Sequence, residues 1–384
     1  MFEVADIFRE VGPAYRASFG ARMPPSHQRA MRDIELCRTA GLGGHLTRCD
    51  RCGESEYSYH SCRNRHCPKC HREQTERWLE AWRSRLLPCP YFLLTFTLPR
   101  ELRALARANQ KAVYGAMMRS AAAALQKLTA DPRYLGARPG MIAVLHTWTR
   151  DMLYHPHVHV LVTAGGLESA GGRWVPSRNP AFLLPDRALS VIFRAKVRDA
   201  LRATGLTRDV RSRTWRRRWV VHCQHAGTGE KVLEYLGRYV YRIAIANSRL
   251  ESFDGEQVVF RYRDGRSGET KRCRTDAIEF TRRFLQHVLP RGFVKVRSYG
   301  LYSTSNRPAL DSARAQLAQA AHPTAAPSDS PSALASAPSE TVPRESDAGA
   351  PRTCPRCGLG HMHVVADLLP TFATSPHPIT RAPP

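Results

Sequence analysis

The sequence predicts an α+β fold: a central antiparallel sheet with packed helices, preceded by a small metal-stabilised module. Three observations lead to this prediction. Strand-like and helical segments are mixed through the middle of the chain. A short polar connection separates two of the most apolar strand segments, which favours antiparallel neighbours. Residues 1–75, by contrast, are rich in Cys, His and Arg and contain few long periodic segments.

The individual elements follow from the hydrophobic pattern. Short apolar runs predict buried strands, and apolar residues that recur every three or four positions predict helices. The predicted strands span residues 91–98, 141–148, 157–164, 218–224 and 293–298, with weaker strands at 256–263 and 269–274. The predicted helices span residues 72–87, 100–129, 186–203, 230–246 and 276–289.

Composition divides the chain into four parts. Residues 1–88 form the cysteine-rich module, and residues 89–305 form the sheet domain. After residue 306 large apolar residues almost disappear, while Pro, Ser and Ala become frequent. Such a segment cannot bury enough apolar surface to offset chain entropy, so residues 306–350 are predicted to be a disordered linker. A tail with a further cysteine pair occupies residues 351–384.

The charge of the chain indicates its partner. Its 384 residues carry a formal net charge of +25, and the isoelectric point is about 10.2. A protein this basic is expected to bind a polyanion, most often nucleic acid, with a membrane surface as the alternative. No apolar run is long enough to cross a bilayer, and no signal peptide is visible at the start. We therefore expect a cytoplasmic, nucleoid-associated protein without a membrane partner.

The cysteines of the amino-terminal module predict a structural zinc site. In a reducing compartment, clustered cysteines usually bind metal instead of forming disulfides. Two C-x2-C pairs separated by 14 residues can supply the four thiolates of a tetrahedral Zn²⁺ site: Cys49, Cys52, Cys67 and Cys70. Further cysteines are possible ligands of a second ion: Cys37, Cys62, Cys354 and Cys357. Four thiolates leave no open coordination position, so this metal is expected to hold structure only.

Arginines around the cysteine pairs are candidates for DNA contact. Arg63 and Arg65 lie between the two pairs, where they suit phosphate groups. Charge that merely faces solvent is the alternative interpretation.

Three histidines and two tyrosines carry the candidate chemistry. Side chains alternate along a strand, so His157 and His159 point to the same face and can grip one cation, and His155 has the same parity. Tyr235 and Tyr239 lie four residues apart on a predicted helix, with Arg238 and Arg242 beside them. Each pattern alone has an ordinary explanation, as surface histidines or as core tyrosines. Their occurrence together in a basic protein favours phosphodiester chemistry.

The chemistry requires both groups. A phenol has a pKa near 10, so it attacks phosphorus poorly without help. A divalent cation on the scissile phosphate neutralises charge and orients an in-line displacement. The tyrosine oxygen would take over the 5′-phosphate and release a free 3′-hydroxyl. One phosphodiester replaces another, so the step is reversible and needs no ATP.

The sequence resembles the rolling-circle transposases of the insertion sequence 91 type, which belong to the HUH endonuclease superfamily. The resemblance runs from about residue 20 to residue 303. Long and specific segments carry it: YHSCRNRHCPKC, FTLP followed by HTW, HPHVHVLVTAGGL, YLGRYVYRIAIAN and EFTRRFLQHVLPRGF.

The resemblance implies a transposase that nicks and transfers single-stranded DNA at element ends, a metal-dependent endonuclease and strand transferase. It implies that His157 and His159 are the HUH ligands of Mg²⁺ or Mn²⁺ and that Tyr235 and Tyr239 are the two catalytic tyrosines. The implied fold has the HUH strand in the middle of the sheet and the tyrosine helix across it. His155 is the favoured third metal ligand, ahead of Glu234, Asn247 and the more remote His222 and Gln224.

Two other functions remain open at this point. A replication initiator or relaxase would use the same chemistry, and a non-enzymatic zinc protein would only bind DNA.

Overall fold

The computed structural model describes residues 2–168, 172–179, 181–228, 231–232, 237, 243–265, 267–321 and 352–371, with only the backbone at 71–74 and 321. The chain divides into two compact units. The larger unit comprises residues 1–35 and 64–322, and the smaller comprises residues 36–63 and 323–384.

Helices and strands are numbered along the chain over the described residues. The helices are α1 Val4–Phe19, α2 Pro25–Leu36, α3 His71–Arg83, α4 Arg103–Ala108, α5 Gln110–Thr129, α6 Asp186–Arg202, α7 Ser212–Arg216, α8 Ala277–Leu285 and α9 Arg307–Ala321. The strands are β1 Gly44–Cys49, β2 Ser55–Tyr59, β3 Tyr91–Thr97, β4 Gly140–Trp148, β5 Tyr154–Thr163, β6 Gly165–Leu167, β7 Trp174–Pro176, β8 Val221–Gly227, β9 Leu250–Phe253, β10 Gln257–Arg263, β11 Thr270–Asp276, β12 Val296–Gly300 and β13 Met362–Leu368.

A five-stranded antiparallel sheet forms the centre of the larger unit. Its strand order is β12-β4-β5-β3-β8, so the predicted HUH strand β5 occupies the middle. The α+β prediction is thereby confirmed, and so is the antiparallel pairing of β4 with β5. Two smaller sheets, β9–β11 and β6–β7, lie elsewhere in the same unit.

Alternate residues of the strands build a core on each face of the sheet. On one face Phe92, Leu94, Phe96, Val158 and Val160 pack with apolar residues of α5 and α6. On the other face the buried cluster comprises apolar residues from the strands, α3 and the end of the larger unit, among them Tyr91, Trp82, Ile142, Val144, Leu161, Val232 and Tyr302. Because side chains alternate along a strand, this second face is also the one that carries His157 and His159.

Two helices occupy the segment for which the sequence predicted few periodic elements. Helix α1 buries Ile7 and Phe8, and the Phe8 ring meets Phe284 of α8 edge-on at 5.2 Å between centroids. Asp276 begins α8, accepting hydrogen bonds from the backbone N–H groups of Ile278 and Glu279. Helix α1 therefore belongs to the core of the larger unit.

The smaller unit joins two distant parts of the chain in one sheet. Strand β1 pairs antiparallel with β2 on one side and with β13 on the other. His45 Nδ1 lies 2.7 Å from Asp367 Oδ1, and Arg356 donates to Glu54 at 2.5 Å. The tail is thus an integral part of this sheet.

These units differ from the domains predicted at residues 1–88, 89–305, 306–350 and 351–384. Helix α1 packs on α8, across the predicted boundary at residue 88, and β13 of the tail completes a sheet with β1. Helix α9 takes up the start of the predicted linker, and residues 322–351 lie outside the described residues. No helix among the described residues is long and apolar enough to span a membrane.

Candidate metal centre

Three histidines from neighbouring strands converge on the second face of the central sheet. His146 of β4 lies directly opposite His157 of β5, and His159 follows two residues later on the same face. One nitrogen from each ring lies within 4.8 Å of the other two. His146 is only 2% exposed. The strand register therefore builds a three-imidazole cluster that no single segment of sequence contains.

Two of the three rings are oriented by a second contact. His157 Nδ1 lies 2.7 Å from the carbonyl oxygen of His155, and His159 Nδ1 lies 3.1 Å from Thr95 Oγ1 on β3. With Nδ1 donating in these contacts, Nε2 is the nitrogen that would coordinate a cation. Such outer contacts fix the tautomer and rotation of a ligating histidine. Trp148 stacks on His146 at 4.9 Å between ring centroids.

The donor set fits a divalent transition ion. Three neutral imidazoles suit first-row ions such as Mn²⁺ or Zn²⁺ better than Mg²⁺, which prefers oxygen ligands. No carboxylate among the described residues joins the cluster. Three protein ligands also leave coordination positions for oxygen atoms of a substrate, as in catalytic metal sites.

His155, the third ligand that the sequence predicted, is not in the group that His146, His157 and His159 form. Its Nδ1 lies 2.6 Å from a guanidinium nitrogen of Arg103 on α4, and its ring centroid lies 5.3 Å from that of His157. Burial, helped by the positive charge of Arg103, lowers the pKa of His155 to about 4. A neutral His155 can accept the hydrogen bond from Arg103. His155 and His157, on either side of Pro156, have the predicted strand parity. Their Nδ1 atoms nevertheless contact different partners, Arg103 for His155 and the His155 carbonyl oxygen for His157.

The third histidine was missed because it lies on another strand. His146 falls in the HTW segment, which carried part of the family resemblance. Only the pairing of β4 with β5 brings it opposite His157. Asn247, another candidate, instead binds the start of α1, where it accepts from Val4 N at 3.1 Å and donates to Glu3.

Tyr235 and Tyr239 lie outside the described residues, as do Glu234, Arg238 and Arg242. Two described residues of the same segment lie at the buried cluster of the second face or against a residue that packs on it. Val232 is fully buried in the cluster that contains Ile142 and Val144. Gly237 lies so close to α3 that a Cβ there would be 2.9 Å from Leu79 Cδ1.

Four cysteines of the smaller unit converge on a second candidate metal site. The sulfur atoms of Cys49, Cys52, Cys354 and Cys357 lie within 4.8 Å of one another. Cys49 Sγ is 3.8 Å from Cys357 Sγ, and Cys52 Sγ is 3.7 Å from Cys354 Sγ. These separations match the edges of a ZnS₄ tetrahedron with bonds of about 2.3 Å.

Local backbone supports this site. Backbone N–H groups of Gly360 and Leu359 lower the pKa of Cys357 to about 6, which favours the thiolate that binds zinc. Gly360 is required by close approach, because a Cβ there would lie 2.5 Å from Cys49 Sγ.

The structure groups the cysteine pairs differently from the sequence prediction. Cys49 and Cys52 group with the tail cysteines, and Cys67 and Cys70 group with Cys37 and Cys62, whose sulfur atoms also lie within 4.8 Å. Four thiolates complete one tetrahedral site, so each pair can serve only one ion. All eight cysteines named as certain or possible ligands fall into these two groups.

The two arginines of the cysteine-rich segment differ in their surroundings. Arg63 is exposed, as a DNA-contacting residue must be. Arg65 instead donates to the carbonyl oxygens of Phe293 at 2.5 Å and Pro290 at 2.9 Å. The structure therefore gives the guanidinium of Arg65 a structural partner in place of phosphate.

Known protein families match both the amino-terminal and the central parts of the chain. Residues 7–98 match the family described as "Transposase zinc-binding domain", and residues 140–309 match that described as "Putative transposase". The chain is 42% identical over 325 residues to "Putative transposase y4qJ" of Sinorhizobium fredii, covering 79% of this chain and 81% of that protein. It is 30% identical over 299 residues to "Transposase for insertion sequence element IS801" of Pseudomonas savastanoi pv. phaseolicola, covering 70% of each. No solved structure matches the chain.

A cysteine-rich zinc-binding segment, an antiparallel sheet with clustered histidines and these matches together define a transposase. Both relatives align over 70% or more of the chain. The match to a transposase zinc-binding domain narrows the class of transposase further. The chain belongs to the insertion sequence 91 (IS91) family of transposases, which confirms the resemblance seen in its sequence.

Proposed function

We propose that this transposase nicks and transfers single-stranded DNA at element ends through a covalent 5′-phosphotyrosine, assisted by a divalent cation at the histidine cluster. The observation that carries the proposal is the convergence of His146, His157 and His159 on one face of the sheet. A cation bound there would neutralise charge on the scissile phosphate and orient it for in-line attack.

The chain's own residues have distinct roles in this proposal. The backbone carbonyl of His155 and the hydroxyl of Thr95 hold the rings of His157 and His159 in a ligating orientation. Tyr235 or Tyr239 attacks phosphorus, and the 3′-oxygen of the DNA leaves. The burial of Val232 in the cluster on the same face of the sheet supports the approach of this segment to the histidine face.

Two tyrosines allow two cleavages within one reaction. While one tyrosine holds the first 5′-phosphate, the other can attack a second site. The free 3′-hydroxyl from the second cut can then attack the first phosphotyrosine. Each exchange conserves the number of phosphodiester bonds, so strand transfer proceeds without an external energy source.

We further propose that both cysteine groups bind structural Zn²⁺ and that exposed basic residues such as Arg63 contact DNA. Arg238 and Arg242 remain candidates for the same role next to the tyrosines. The protein would act at the nucleoid in the cytoplasm, where its substrate lies.

The test is formation of a covalent adduct. The full chain is incubated with Mn²⁺ and single-stranded oligonucleotides that tile the DNA flanking its coding gene, and adducts are resolved under denaturing conditions. We expect a protein–DNA band that is lost in the Tyr235→Phe, Tyr239→Phe double variant. A band of undiminished intensity in that variant would refute the assignment of the nucleophiles.

Two histidine variants distinguish His146 from His155 as the third metal ligand. His146→Gln should lose both the adduct and Mn²⁺ binding, while His155→Gln should retain Mn²⁺ binding. The reverse pattern would restore His155 as the ligand. Adducts formed only on sequences remote from the element ends would favour a replication initiator or relaxase. The absence of an adduct with any oligonucleotide would favour a non-enzymatic zinc protein that only binds DNA.

A further inference from the structure

A cationic cavity lies on the larger unit away from the histidine cluster. It has a volume of about 620 Å³, and residues of α1, α2, α4, α5 and α8 form its walls together with the connection that follows α1. Arg22, Arg107 and Arg282 line it, and no acidic residue does so among the described lining residues. We refer to it as the arginine cavity.

Two of these arginines lack an acidic partner. Arg282 donates to Glu279, but neither Arg22 nor Arg107 forms an ion pair with any described residue. Arg107 makes a cation–π contact with Tyr154, at 5.9 Å from the centre of its ring. Its charge also helps burial to lower the pKa of His27, another lining residue, to about 4. Like charges around a half-enclosed space repel one another, and an anion between them would relieve that repulsion.

The remaining walls suit a nucleotide. The rings of Tyr15 and Phe19 contact each other at 4.8 Å between centroids, and Phe19 is 36% exposed. Gln110 adds an amide to the lining. Aromatic faces that stack with bases, combined with cations that hold the backbone, are the usual elements of a single-strand binding site.

A line of basic groups joins the cavity to the candidate metal centre. Arg103 and Arg107 are four residues apart on α4 and therefore lie on the same face. Arg103 contacts His155, whose ring centroid lies 5.3 Å from that of His157. Nε of Arg103 is buried and has no hydrogen-bond acceptor among the described residues. A phosphate oxygen would provide one.

We propose that the arginine cavity binds a phosphodiester and its nucleotide in the DNA strand that runs from the metal centre past Arg103. Arg22 and Arg107 hold the phosphate oxygens, and Phe19 stacks with a base or sugar. The direction of the strand rests on the proposed function, whereas the binding of single-stranded DNA in the cavity does not depend on cleavage.

The test measures how salt weakens DNA binding. Affinity of the full chain for a fluorescein-labelled oligo(dT) is followed by anisotropy over a series of salt concentrations, without added Mn²⁺ so that no cleavage occurs. Each phosphate contact on a single strand contributes about 0.7 to the slope of log K against log salt. Because both arginines hold one phosphate, the Arg22→Gln, Arg107→Gln variant should have a slope shallower by about 0.7 than the wild-type chain.

Matched variants make the result specific. Arg208→Gln, Arg218→Gln removes the same charge from two exposed positions that do not line the cavity, and should leave the slope near the wild-type value. Arg22→Lys, Arg107→Lys retains the charge and should restore most of the slope. Equal losses in both glutamine variants, or no loss in either, would overturn the proposal. A shallower slope in a chain that forms no covalent adduct would refute the proposed function and leave this inference standing.

Discussion

Replacing Thr95 with valine tests the geometry of the metal centre without touching a ligand. Thr95 Oγ1 lies 3.1 Å from Nδ1 of His159 and is its partner across β3 and β5. Valine has nearly the same shape and the same preference for a strand, so the backbone and the packing should be unchanged. The substitution removes the hydroxyl that contacts Nδ1 of His159.

The expected loss is moderate and measurable. Removing an outer partner of a ligating histidine weakens metal affinity by about 10- to 100-fold. A tenfold change corresponds to about 1.4 kcal/mol, so the expected cost is about 1.4–2.8 kcal/mol. Titration of the zinc-loaded chain with Mn²⁺, followed by calorimetry or by the electron paramagnetic resonance of free Mn²⁺, gives the dissociation constant directly.

Thr97→Val provides the matched control. Thr97 lies on the same strand and the same face, two residues from Thr95, and is opposite His157. Its hydroxyl is not the partner of either Nδ1 atom described above. Mn²⁺ affinity should therefore stay within a few fold of the wild-type value. Equal affinities for Thr95→Val and the wild-type chain would refute the orientation of His159 and with it the ligating role of Nε2.

Two further predictions concern the cysteines and the buried histidines. Cys354→Ser, Cys357→Ser should reduce bound zinc from two ions to one per chain, measured by metal release with a colorimetric chelator; unchanged stoichiometry would contradict the grouping with Cys49 and Cys52. Burial lowers the pKa of His287 to about 3, so the unfolded chain binds more protons than the folded chain between that pH and about 6.5. Its contribution to stability is complete above about pH 6.5 and falls below it by up to about 1.4 kcal/mol per pH unit. Urea unfolding from about pH 7 to about pH 5 should show a weaker pH dependence for His287→Gln, and an identical dependence would count against a buried neutral imidazole.

The parts of the fold that depend on local pattern were predictable. The run of apolar residues in β3 and the alternation around His157 and His159 gave correct strands and a correct face, because both depend on a period of two within one segment. The amino-terminal helices were not predicted, although Ile7 and Phe8 belong to an apolar stripe, because the residues that follow are rich in Cys, His and Arg.

The parts of the site that depend on pairing between distant segments were not predictable. His146 becomes a candidate ligand only through the register of β4 against β5, which its own sequence does not reveal. Spacing along the chain groups Cys49 and Cys52 with the nearest second pair, Cys67 and Cys70. In the folded protein β13 pairs with β1, so Cys354, and not Cys67, lies in the same group as Cys49 and Cys52.

The pairing of β1 with β13 gives the smaller unit a distinctive order of assembly. Cys52 and Cys354 are 302 residues apart in the chain. At a synthesis rate of about 5–20 residues per second, Cys52 precedes Cys354 by about 15–60 s. During that time β1 has an unpaired edge, and its cysteine pair supplies only half of a zinc site. All four cysteines can therefore bind zinc together only after the tail has been synthesised. A chain interrupted earlier cannot assemble this sheet.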